Sequence, residues 1–264
     1  MKKCRIIDFH THIFPERIAD KAVKSIGDYY GVGIPGLGTA EDLLNCGGKI
    51  NVHMYVVHSS ATRVEQVKPI NDFIYETMSL NEKFIGFGTL HPGLEDAYSE
   101  VERLMALGLR GIKLHPEFQG FNIDDEGMIP VYRAVEGKLP ILMHMGDERS
   151  NSSSPERLTK VMDMFPRLVI IAAHLGGYSV WEDSMKHLVG RNVYFDTSST
   201  LWKLGCEKSL EIIRRHGADK ILFGTDYPMW VHEDEIKRFD GLDLTMEERE
   251  LILWKNASEL LGIA

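Results

Sequence analysis

Cysteine is scarce: Cys4, Cys46 and Cys206 are the three in the chain, far apart and without a Cys-x-x-Cys pair. An odd, scattered set excludes a disulfide-stapled scaffold and a thiolate metal cluster, and it fits reduced, mostly buried thiols in a cytoplasmic protein. Long apolar runs are missing too. No stretch approaches the roughly 18 residues that a membrane-crossing helix needs, so no membrane span is expected. Basic clusters are the third absence. The densest is Lys2–Lys3–Cys4–Arg5, and the formal net charge is −9, with 30 Lys and Arg against 39 Asp and Glu. A nucleic-acid backbone calls for the opposite sign. The same basic start could open a signal peptide, but Asp8, His10 and His12 interrupt the apolar stretch that such a peptide requires. The expected partner is a small molecule, with no nucleic acid and no membrane.

What the chain does have is a repeated alternation. Its 264 residues, 44% of them hydrophobic, suffice for one sizeable core. Eight short apolar runs recur: Arg5–His10, Val52–His58, Phe84–Leu90, Gly111–His115, Pro140–His144, Leu168–His174, Asn192–Thr197 and Lys220–Asp226. Continuous apolar runs of this length fit strands buried on both faces of a parallel sheet. Amphipathic stretches lie between them: Val64–Leu80, Asp96–Leu107, Pro155–Phe165, Tyr178–Leu188, Glu207–His216 and Glu233–Phe239. A last helix, Thr245–Leu261, opens with a Thr-x-x-Glu capping box at Thr245 and Glu248. Strand and helix in alternation imply right-handed βαβ units. The expected fold is a single α/β domain over residues 1–264, a (β/α)8 TIM barrel with a C-terminal helix. An open doubly wound sheet is the alternative, but the glycine fingerprint after its first strand is missing. The glycine-rich stretch Ile26–Lys49 and the stretch His115–Met128 read as long loops, and the second would sit at the barrel mouth.

The polar residues carry the functional signal, because apolar runs repeatedly end in metal-capable side chains. The first gives Asp8, His10 and His12, the fourth Lys113 and His115, the fifth His144, the sixth His174 and the eighth Asp226. In a TIM barrel those C-terminal strand ends converge on the active site. Asp8, His10 and His12 alternate with Phe9 and Thr11, so strand period two puts all three on one face. Two imidazoles at i and i+2 could grip one divalent ion, with Asp8 one layer deeper orienting a ligand; hydrogen-bonded structural histidines are the plainer alternative. His58 ends run two and His91 follows run three, and either lines the mouth or makes a structural hydrogen bond. Arg149, in a polar loop, is a candidate partner for a substrate carboxylate or a solvated charge. Tyr178 and Trp181 either wall the pocket or pack. His53, His187, His216 and His232 read as incidental.

Five motifs in order make a resemblance specific: D-F-H-T-H (Asp8–His12), G-I-K-L-H-P (Gly111–Pro116), L-M-H-M-G (Leu142–Gly146), A-H-L-G-G (Ala173–Gly177) and G-T-D-Y-P (Gly224–Pro228), with the ending W-K-N-A-S-E-L-L-G (Trp254–Gly262). Together they resemble the amidohydrolase-related group of the amidohydrolase superfamily that includes aminocarboxymuconate semialdehyde decarboxylase. The resemblance implies a metal site made by His10, His12 and His144, with Asp226 touching the ion or its water and His174 as catalytic acid or base. Such a nitrogen and carboxylate set suits Zn2+, with Mn2+ as the other candidate, and one ion is expected. Lys113 stands where two-metal members of the wider superfamily carry a carboxylated bridging lysine. With it, His174 would become a ligand and two ions would bind; the plainer reading of Lys113 is a substrate-facing or salt-bridged cation. His115 shares its face and is a substrate-contact candidate.

The group contains hydrolases and non-oxidative decarboxylases. The chain is short beside the decarboxylases, which points to a hydrolase: metal-activated water attacking the carbonyl of a small amide, lactone or ester. The alternative is a metal-dependent carboxy-lyase acting on a small unsaturated or aromatic acid. A non-catalytic binding barrel is a third reading, which the intact ligand set disfavours. Barrels of this type often pair, so a homodimer is the assembly to test.

Overall fold

The computed structural model describes residues 4–263; Lys2 and Lys3 of the basic start lie outside the described residues. Eight parallel strands follow one another in chain order: β1 (Ile7–His12), β2 (Met54–His58), β3 (Phe84–Thr89), β4 (Gly111–Leu114), β5 (Ile141–Met143), β6 (Ile170–Ala172), β7 (Tyr194–Asp196) and β8 (Ile221–Leu222). Backbone bonds just beyond β8 close the ring onto β1. Phe9 N donates to Phe223 O (2.8 Å), Asp226 N to His10 O (2.9 Å) and His12 N to Tyr227 O (2.7 Å). The result is the expected TIM barrel. Among the described residues no helix is long and apolar enough to cross a membrane.

Both faces of the strands are buried, which is why their sequences read as continuous apolar runs. Ile7, Phe9, Val56, Phe87, Leu142 and Leu222 fill the barrel interior, where Phe9 and Phe87 meet edge to face at 5.5 Å. Trp254, Ala257 and Leu261 of the C-terminal segment join this cluster. The opposite strand faces meet the surrounding helices in a second, larger cluster.

The helices depart from the sequence reading in three places. Much of the stretch Ile26–Lys49 is helical: α1 (Glu16–Tyr30) runs into it, and α2 (Ala40–Gly48) starts where the Thr39 side chain accepts from Asp42 N. After α3 (Val67–Leu80) and α4 (Ala97–Ala106), the stretch beyond β4 holds α5 (Pro116–Gln119), and α6 (Ile129–Val135) follows it. Both are too short to show a helical period. The remaining helices are α7 (Pro155–Met164), α8 (Trp181–His187), α9 (Leu201–Leu204), α10 (Cys206–His216), α11 (His232–Asp240), α12 (Met246–Glu250) and α13 (Asn256–Leu261). The last two take the place of the single expected helix. The capping box at Thr245 and Glu248 is present, but a wide π-helical turn over Leu251–Lys255 separates them.

β1 carries a register irregularity between Asp8 and Thr11 in its pairing with β2. A bulge breaks the period-two rule, because the extra residue re-aims the side chains after it. Ile7 and Phe9 point into the barrel, and so do His10 and His12, whereas Asp8 points outward to α11. The expectation that Asp8 shares the face of the two histidines is therefore corrected.

A buried polar bridge ties α3 to the end of β3. Asn71 Nδ2 donates to Thr89 O (3.1 Å) and to Glu100 Oε1 (2.7 Å), and its Oδ1 accepts from Thr89 N (2.7 Å). Asn71→Ala would strand both backbone groups of Thr89 and weaken the support of a buried carboxylate. The expected cost is about 2–4 kcal/mol, seen as a melting temperature lowered by roughly 5–10 °C. An unchanged thermal scan would show that the bridge contributes nothing.

Candidate metal centre and active site

His10 and His12, brought inward by the bulge, meet Asp226 from the segment after β8. His10 Nε2 lies 3.2 Å from His12 Nε2 and 3.3 Å from Asp226 Oδ1, and His12 Nε2 lies 3.4 Å from the same oxygen. Donors to one ion at about 2.0–2.2 Å stand roughly 3.0–3.5 Å apart, so this triangle has the spacing of a shared coordination sphere. A second pair lies beside it: His174 Nε2 is 3.0 Å from His144 Nδ1. The His174 ring links the two groups, with its centroid 5.2 Å from that of His10 and 4.8 Å from that of His144.

Hydrogen-bond partners assign the tautomers, and the assignment makes the cluster electrostatically one-sided. His10 Nδ1 donates to Asp196 Oδ2 (2.8 Å), His174 Nδ1 to Ser198 O (2.9 Å) and His144 Nε2 to Gly146 O (3.1 Å). A neutral imidazole has one N–H and one lone pair. His10 Nε2 therefore presents a lone pair to the Asp226 carboxylate, and His144 Nδ1 and His174 Nε2 present lone pairs to each other. Lone pairs facing at 3.0 Å repel unless a cation lies against them. Lys113 Nζ supplies one such contact, 2.9 Å from His10 Nε2. Burial brings that lysine down to about 8. Burial also lowers His12 to about 4 and holds His144 and His174 below the usual imidazole range, which keeps the rings neutral and able to ligate. Burial alone would raise Asp226, but His10, His12 and His174 more than offset it and hold the carboxyl well below its usual range. The donor chemistry thus fits a divalent ion.

The backbone is specialised at the same points. His174, Asp226 and Ser199 have φ of 62°, 61° and 49°, the left-handed region that non-glycine residues seldom adopt. Such conformations persist where the surroundings over-determine them. Trp181 Nε1 donates to His174 O (2.9 Å), and the Ser199 hydroxyl donates to Asp226 Oδ2. Gly176, at φ 76°, has no room for a side chain, since a Cβ there would stand 2.7 Å from the Phe195 ring. This is the tight turn that swings His174 inward.

Several partners differ from the sequence expectation. The carboxylate on the His10 ring is Asp196, at the end of run seven; its placement in NVYFDT was the available signal. Asp8 accepts instead from Thr225 Oγ1 (2.6 Å), Thr225 N (3.0 Å) and His10 N (3.2 Å), and its Oδ2 lies 2.9 Å from His232 Nε2, so His232 is not incidental. Arg149 is engaged elsewhere. Its Nε and Nη2 hold the two oxygens of Asp147 (2.8 and 2.6 Å), its Nη1 reaches Tyr29 O (2.5 Å), and its guanidinium lies over the Tyr29 ring. It straps the β5 loop to α1 and does not line the cavity. His91 Nδ1 accepts from Gly93 N in its own turn.

His115 stacks on His144 at 4.0 Å, and its Nε2 lies 3.2 Å from the hydroxyl of Tyr30. Tyr30 and Glu117 were not anticipated. Glu117 lies behind both rings, with Oε2 3.6 Å from His115 Nδ1 and 3.9 Å from His144 Nε2. A cavity of about 310 Å³ opens over the cluster, with His12, His144, His174 and Asp226 below and Tyr30 and Phe118 among its walls.

Asp196→Asn would keep the shape of the His10 support but remove its charge. Metal affinity is expected to fall about 10–100-fold, measured by competition with a chromophoric chelator; an unchanged affinity would free His10 from that support.

The amidohydrolase family model matches residues 7–263. The chain belongs to the amidohydrolase family. Among its curated relatives, this amidohydrolase is 26% identical over 246 residues to the 2-amino-3-carboxymuconate-6-semialdehyde decarboxylase of Dictyostelium discoideum, covering 74% of this chain and 66% of that protein. The chain spans between about a third and two thirds of the length of the curated relatives it matches. Solved structures show the same fold. 5-Carboxyvanillate decarboxylase from Sphingomonas paucimobilis superposes with a TM-score of 0.74 at 17% identity, over 99% of this chain and 100% of that one. The 5-carboxyvanillate decarboxylase of Novosphingobium aromaticivorans, complexed with manganese and 4-hydroxy-3-methoxy-5-nitrobenzoic acid, gives 0.72 at 16%, over 98% and 96%.

These relatives overturn the expectation of a hydrolase. The other curated matches are decarboxylases as well. A divalent-metal centre is supported; zinc specifically is not.

Proposed function

We propose that this amidohydrolase is a metal-dependent decarboxylase of a small aromatic or unsaturated carboxylic acid. The observation that carries the metal part is the set of lone pairs converging with Asp226 at the barrel mouth; the decarboxylase relatives support the reaction. His10, His12, His144 and Asp226 would hold one divalent ion, and manganese, found in a structural relative, is the ion to load first. When bound, that ion supplies Lewis acidity, drawing negative charge from the substrate oxygens as the carbon–carbon bond breaks.

The chain's own residues do the rest. Tyr30 and Phe118 give the cavity an aromatic wall for a flat, unsaturated ring. Asp196 and Ser198 fix the His10 and His174 rings. His174 rests neutral with its Nε2 lone pair free; in this reading it takes up a proton there from water once substrate is bound and would give it to the carbon that loses carbon dioxide. The electron pair of the broken bond becomes the new C–H bond, and His174 returns to its neutral form. Lys113 lies against His10, and a count of one ion per chain separates this reading from a two-ion set that includes it.

The test is carbon dioxide release by the manganese-loaded protein from hydroxybenzoic acids and from 2-amino-3-carboxymuconate semialdehyde. Metal-dependent release from one class supports the proposal. No release from any of them, with hydrolysis of an ester or amide panel, contradicts it.

A further inference from the structure

His58, at the end of β2, is fully buried, and neither of its ring nitrogens has a hydrogen-bond partner among the described residues. The rings around it are anchored. His10 is held by Asp196, His144 by Gly146 O, His174 by Ser198 O and His115 by Tyr30. A neutral imidazole carries both an N–H and a lone pair. Leaving both dry is costly, and buried polar groups are retained when something satisfies them.

The ring is aimed into the metal centre. The β1–β2 register sets His58 opposite His12. The His58 ring meets His12 edge to face at 4.4 Å and His10 at 5.1 Å between centroids. One ligating nitrogen from each of His10, His12 and His58 falls in a group whose members all lie within 4.8 Å of one another. Ligands on opposite sides of one ion, each about 2.1 Å from it, stand roughly 4.2 Å apart. That is the largest separation one ion allows, and the 4.8 Å limit exceeds it by about 0.6 Å at most, so a small movement of the His58 ring suffices to bring its nitrogen into coordination.

We propose that His58 is a further ligand of the ion held by His10, His12 and Asp226. The proposal rests on the metal reading above, and β2 then contributes to a site otherwise built from β1 and the ends of later strands. A His58 ligand would also narrow the coordination positions left for substrate oxygens, so that the metal presents fewer exchangeable faces to the cavity.

Cobalt(II) is the probe, because its visible absorption reports the number and kind of ligands. Full-length wild type, His58→Gln, His58→Gly and His12→Ala are each stripped, reloaded and titrated against a competing chelator, with circular dichroism to confirm the fold. The proposal expects a changed cobalt spectrum and at least about tenfold weaker binding in the His58 variants, and recovery of the wild-type spectrum when imidazole is added to His58→Gly. If the glycine variant does not fold, the glutamine spectrum decides. A wild-type spectrum in His58→Gln overturns the proposal, whether or not affinity falls, because the ring then acts only by packing. Wild type that takes up no cobalt, or His12→Ala that binds as wild type does, overturns the metal reading itself and this inference with it.

Discussion

Asp226→Asn is expected to lower turnover by at least about 10³-fold and to weaken metal binding by about 100-fold or more. The substitution barely changes shape. It removes the carboxylate charge that lies against the Nε2 atoms of His10 and His12. Asp226 Oδ1 stands 3.3 and 3.4 Å from the two β1 histidines, while Oδ2 accepts from Ser199. An asparagine amide can keep one of these relations, but it supplies no charge to a cation. Carbon dioxide release by the loaded variant, with metal content measured on the same sample, gives both numbers. Turnover within tenfold of wild type would remove Asp226 from the chemistry.

Metal-free protein is expected to lose stability steeply as pH falls below about 6.5. Burial lowers His58, His115, His144 and His174, and it brings His12 to about 4. In the unfolded chain these imidazoles titrate near 6.5. Between the two values the unfolded state binds protons that the folded state refuses. Their contribution is thus fully present above about 6.5 and is lost as pH falls toward 4. Two carboxyls act in the opposite sense. Burial raises Glu235 to about 8 and raises Glu117, so their contribution is present below the usual carboxyl range and is lost as pH rises. His91 and His216 are lowered by burial as well, so seven imidazoles against two carboxyls leave a net loss of stability as pH falls. The melting temperature of chelator-treated protein should drop by roughly 10 °C or more from pH 6.5 to 4.5. A flat profile over that window would mean that the rings are not buried in neutral form. The loaded protein should start higher and release its ion in the same range, as the ligands protonate.

The barrel was legible because its signal is repeated. Strands buried on both faces cannot hide their apolar runs, and polar residues placed at their ends stand out against them. That logic drew attention to His10, His12, His144, His174 and Asp226, which the structure brings into one cluster. It misled at Asp8, because a bulge leaves no mark in the alternation of D-F-H-T-H. It missed Asp196, whose task depends on a neighbour 186 residues away in sequence. Tyr30 belongs to a helix whose last turns lie in what reads as a glycine-rich loop. Arg149 was plausible as a substrate partner only until Asp147, two residues earlier, proved to hold its Nε and Nη2 while Tyr29 O takes Nη1. Local sequence reports which side chains are available; which of them satisfy one another is settled by packing. The preference for hydrolysis failed for a different reason. The same ligands serve both reactions, and chain length carries no chemistry.

The central claim is that side chains from β1 and from beyond β5 and β8 share a divalent ion. Anomalous diffraction from manganese-soaked crystals, collected on both sides of the manganese edge, tests it most directly. The account predicts one strong peak within about 2.0–2.4 Å of His10 Nε2, His12 Nε2, His144 Nδ1 and Asp226 Oδ1. A fully soaked crystal with no peak there, or with the ion seated elsewhere on the molecule, would contradict it.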